Sequence, residues 1–164
     1  MARLEGRDTP PTSAEKIARQ RLTNLTDFIT KDHVFEAHAL IHRGGELVGF
    51  VGIHNSCLQS AESKDALVAK LRDQVVNLQA TEVWLFFDVW IKTQDPSLPV
   101  PDSIQDDPDR ESALLAVVCT PMDNGVAWRR YEGDDVEKGN FVGEVESGSG
   151  TNHRFSSLVP PLWN

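Results

Sequence analysis

Between Glu82 and Lys92 the chain alternates two sets of side chains: Val83, Leu85, Phe87, Val89 and Ile91 at odd positions, and Trp84, Phe86, Asp88 and Trp90 at even ones. An extended strand turns successive side chains to opposite sides, so a strand here has almost no polar face to give to water. It belongs inside a sheet covered on both sides, either by its own chain or by another molecule.

The neighbouring segments supply the rest of that sheet. Thr12-Ser13-Ala14-Glu15 reads as a capping box, and Ala18, Leu22, Leu25 and Ile29 then recur at helical spacing, with Ile17 and Phe28 widening the stripe, which predicts a helix over 13–31. Gly44-Gly45 between apolar runs at 34–42 and 46–54 predicts a β-hairpin, since both glycines accept the positive φ of a tight turn. Leu67, Val68, Leu71, Val75 and Leu78 predict a second helix at about 63–80, capped by Ser63. Runs at 112–120 and 126–132, joined through Asn124-Gly125, predict another hairpin, and a short strand follows near 141–146.

The expected fold class is therefore α+β: a single domain in the order α-ββ-α-β-β-β, with a mostly antiparallel sheet of about five strands and both helices on one face. Residues 1–12 are expected to form a flexible arm, 13–147 the domain, and 148–164 a flexible tail that begins at Gly148-Ser149-Gly150.

Charge is concentrated along the chain. The net charge is −9 over 164 residues. Residues 95–147 hold thirteen acids and four bases, whereas the remainder balances, so the whole excess lies in that stretch. It includes a proline-rich surface loop at 93–111 carrying Asp102, Asp106, Asp107, Asp109 and Glu111. Such a balance excludes binding to nucleic acid or anionic membrane through a general positive field, and suits a basic protein partner or a mimic of nucleic-acid phosphate. The spacing of those acids lacks the loop pattern of a calcium site. No apolar run approaches the ~20 residues that cross a bilayer, and the first residues lack the apolar stretch of a signal peptide. The expected location is cytoplasmic. Cys57 and Cys119 make no C-x-x-C pair and read as reduced thiols.

Two groups of residues could carry chemistry. His38, His42, His54 and Cys57 are potential ligands for zinc or a related metal. On an even hairpin loop His42 faces Leu47 and His38 faces Val51, while His54 pairs with Phe35 on the other side, so this register separates the ligands. No nucleophile elbow, zinc-protease motif or phosphate-binding glycine loop occurs. The second group is Trp84, Phe86, Asp88 and Trp90, a large aromatic surface suited to an interface or, with Asp88 as its polar group, to a ligand groove. The expectation is a non-enzymatic protein-interaction or regulatory module without a cofactor, self-associating through the aromatic sheet face and presenting an acidic loop. The alternatives are a small metal-assisted enzyme using the histidine-rich hairpin, and an acidic nucleic-acid mimic that inhibits its target.

Overall fold

The computed structural model describes residues 13–29, 35–54, 60–91, 111–133, 136, 140–149, 162 and 163. Two helices, α1 (Ser13–Ile29) and α2 (Ala61–Asn77), accompany six strands: β1 (His38–Arg43), β2 (Glu46–Gly52), β3 (Glu82–Ile91), β4 (Glu111–Cys119), β5 (Asn124–Tyr131) and β6 (Phe141–Ser149). The strands form one antiparallel sheet in the order β2-β1-β3-β4-β5-β6. The α+β class and the element order follow the sequence reading, with six strands in place of about five.

The helices lie on opposite faces of the sheet, not on one. α2 buries Leu67, Leu71 and Val75 against the odd side chains of β3, together with Ala39, Ile41, Leu115, Val117 and Trp128. α1 buries Ala14, Ala18, Leu22 and Ile29 against Phe86, Leu114, Ala116, Val118 and Ala127 on the even side. The cause is visible in β3 and β4: β4 is buried continuously from Ser112 to Cys119, so both faces of the sheet centre need an apolar cover.

Local chemistry sets the element ends. Ser60 caps α2, its hydroxyl accepting from the Ser63 backbone N–H at 3.1 Å while the Ser63 hydroxyl accepts from the Ser60 N–H at 3.2 Å. Ser63, expected as the cap, is thus the third helical residue of the box. The β4–β5 turn is made by Thr120 to Asp123, with the Thr120 hydroxyl accepting from the Asp123 N–H at 3.0 Å. Asn124 and Gly125, expected as the turn, are already strand, and Gly125 lies beneath the first turn of α1.

The β1–β2 register also departs from expectation. His42 faces Leu47, as the turn requires, but Val48 bulges out and beyond it His38 faces Gly52 instead of Val51. The pairing continues through the Ile53 N–H to the Ala37 carbonyl at 2.9 Å. A one-residue slip exchanges faces, so His54 falls on the side of His38.

β6 extends to Ser149, and Leu162 and Trp163, within the expected tail, pack against the α2 core. The Trp163 indole N–H donates to the Ala80 carbonyl at 3.0 Å. Residues 1–12, the segment 92–110 that holds most of the expected acidic loop, and Cys57 lie outside the described residues.

Candidate functional site

α1 does not cover the whole of its sheet face. It lies across β4, β5 and β6, tied to β6 on one flank, where Arg19 donates to the Ser147 hydroxyl at 2.8 Å and that hydroxyl donates to Glu15 at 2.6 Å. Ile17, Arg21, Leu25 and Phe28 occupy the other flank at helical spacing. That flank borders the even side of β3, β1 and β2, over which the described residues place no helix.

The result is an apolar step with α1 as its wall and the sheet as its floor. Leu40, Trp84, Leu47 and Phe50 share the even side through the pairings Leu40↔Trp84, Leu40↔Phe50 and His42↔Leu47. Phe50 is 66% exposed, Leu47 59%, and Phe28 on the wall 48%. His38 lies against Phe50 with ring centroids 5.6 Å apart and against Phe86 at 5.1 Å.

Polar groups secure the inner corner of the step. The Arg21 guanidinium lies 4.5 Å from the centre of the Trp84 ring, a cation–π contact, and the indole N–H of Trp84 donates to Glu82. The His42 ring meets Trp84 at a 3.9 Å centroid distance. His42 is only 7% exposed and its Nδ1 has no hydrogen-bond partner. Burial pushes its pKa below the ordinary 6.5, with Glu82 opposing and Arg21 assisting the shift.

A second feature lies where the described strands β3 and β5 end and β4 and β6 begin. An open cleft of about 480 Å³ is lined by Phe35, Glu36, Ala37, Gly52, Ile53, His54 and Asp88. Exposed Asp88 accepts from the hydroxyl of buried Tyr131, which reaches it from β5 across β4. Among the described residues the lining holds carboxylates and an imidazole but no Ser, Thr, Cys or Lys. Those described residues supply acid–base groups. The connections 92–110 and 132–140 both join the sheet at this end, and their sequences carry Asp95, Asp102, Asp106, Asp107 and Asp109 in one and Glu132, Asp134, Asp135 and Glu137 in the other.

The residues singled out from sequence fall in different places. Trp84 is half-buried at the corner of the step, whereas Phe86 is buried in the α1 core. Asp88 belongs to the cleft, and the side chain of Trp90 lies outside the described residues, as do Asp102, Asp106, Asp107 and Asp109. Glu111 opens β4 and pairs with Arg130 at 3.3 Å.

The histidines do not meet as one ligand set. His38 and His42 share a strand face about 13 Å apart at ~3.3 Å per residue, and the Nδ1–H of His38 donates to the Glu36 carbonyl at 2.7 Å. His54 lines the cleft, on the side of His38. Among the described residues no group of three His, Cys, Asp or Glu side chains is placed to hold a metal ion. Nor is any helix among them long and apolar enough to cross a membrane. Burial pushes the Cys119 thiol up to about 12, which removes it as a nucleophile at neutral pH.

Sequence reasoning missed Leu47, Phe50 and Phe28 as surface residues. Their signal was an apolar hairpin strand and a helix stripe wider than one face, but an unbulged register gives no reason to single out the pair on β2.

No family model, curated protein or solved structure matches the chain.

Proposed function

We propose that the protein is a non-enzymatic interaction or regulatory module whose docking surface is the apolar step between α1 and the β2-β1-β3 half of the sheet. One observation carries the reading: Phe50 and Leu47 stand side by side on the same face, each more than half exposed, beside the β4–β6 half of that face on which α1 packs. Large apolar side chains grouped on a surface are the usual anchors of a protein contact. The acidic sequences of the connections 92–110 and 132–140 would suit such a module to a second, basic protein partner.

The test separates docking from folding. A Leu47→Ser/Phe50→Ser double variant should change the stability of the dilute, monomeric protein by less than about 0.5 kcal/mol, while binding of an apolar dye to the native protein falls. A loss of about 2 kcal/mol or more would mean that these side chains belong to the chain's own core, and would overturn the reading.

A second reading, the acidic nucleic-acid mimic, draws support from the two acidic connections meeting the sheet at one end. It predicts binding to a nucleic-acid-binding protein that weakens steeply with salt and is competed by nucleic acid.

A further inference from the structure

We infer that the occupant of the step is a second copy of this chain, related by a two-fold axis. The inference rests on the reading of the step as a docking surface and adds the identity of the partner.

Shape is the first reason. A two-fold contact brings the same patch of each copy together, so that residue i meets j and j meets i. A step with one wall and one floor is self-complementary under that operation: the α1 wall of each copy lies on the floor of the other. Each β2-β1-β3 half-sheet, over which the described residues place no helix, then gains one, and Phe28 of one copy meets Phe50 of its partner.

Charge is the second reason. Two molecules of net charge −9 repel each other over most of their surfaces. Among the described residues, the wall and the inner floor contribute one charged side chain, Arg21, held on the Trp84 ring; the carboxylate at the rim, Glu82, is engaged by the same indole, and Asp88, further along the even side of β3, is engaged by the Tyr131 hydroxyl. The step is thus a place where two copies can approach without bringing unmatched acids together.

Area is the third. At about 200 Å² per large side chain, Phe50, Leu47 and Phe28 leave roughly 350 Å² open. A standard interface takes about 800 Å² from each partner, some 60% of it apolar. Half-buried Leu40, Trp84, Ile17 and Leu25 border the same step and add to the apolar share, and the polar outer turns of α1 form the rim.

Sedimentation equilibrium on the full chain tests the inference. Wild type should form a dimer at micromolar concentration. Phe50→Glu and Phe28→Glu should each weaken it about 100-fold or more, whereas Val76→Glu, on the exposed side of α2, should leave it unchanged. Phe28→Lys alone should also be monomeric, yet mixed with Phe50→Glu it should form a heterodimer, because one contact is then Lys against Glu and the other is intact. A monomeric wild type at about 0.5 mM would overturn the second copy as occupant, as would a dimer indifferent to both substitutions. Retained stability of the dilute monomer in Phe50→Glu would show that the step itself stands, so the two failures are distinguishable.

Discussion

Gly125 of β5 lies so close beneath α1 that a Cβ at that position would come within 2.2 Å of the Glu15 backbone nitrogen. Small side chains continue the contact, with Ala14 and Ala18 on the helix and Ala116 and Ala127 on the sheet, all buried. α1 is therefore seated unusually deep over β4–β6. This seating leaves its far flank standing as a wall beside strands over which the described residues place no helix.

Gly125→Ala should destabilise the protein by about 3 kcal/mol, the upper range for forcing atoms into a packed contact, because the obstruction is the backbone of Ala14 and Glu15 and cannot rotate away. Denaturant unfolding measures it. A change below about 0.5 kcal/mol would mean that α1 does not sit this close.

His42 should make the fold acid-sensitive. Its neutral form is favoured in the folded state, so the unfolded chain binds the proton more readily and stability falls as pH drops through the ordinary value of 6.5. Unfolding at pH 7.5 and 5.5 should show a loss in wild type that is smaller in His42→Gln. An equal loss in the two proteins would assign the acid sensitivity to other groups.

Removal of Leu162, Trp163 and Asn164 should cost about 2–4 kcal/mol, since it empties a buried leucine site and leaves the Ala80 carbonyl without its indole donor. Thermal unfolding of the shortened chain checks this. Unchanged stability would place the end of the chain outside the core.

Much of this architecture is legible in the residues because it follows from periodicity. β3 announces its burial on both faces, and the stripes of α1 and α2 mark each helix. The side on which each helix packs is not local information: it depends on Val126 and Trp128 turning one way and Gly125 and Ala127 the other. A strand-like Gly125 also looks the same in sequence as a turn glycine, and only the helix above it explains the residue. The step was least legible. The Val48 bulge decides which side chains of β2 flank Leu40 and His38, and the pairing of turn residues does not reveal a bulge further along the strand.

Two-dimensional amide spectra recorded from about 0.5 mM down to low micromolar concentration test the central claim most directly. Burial of the step by a second copy predicts concentration-dependent shifts clustered at Ile17–Phe28, His38–His42, Leu47–Phe50 and Trp84, with α2 and the β4–β5 turn unmoved. Spectra that do not change over that range, or shifts that map instead to α2 or to the β6 edge, would contradict it.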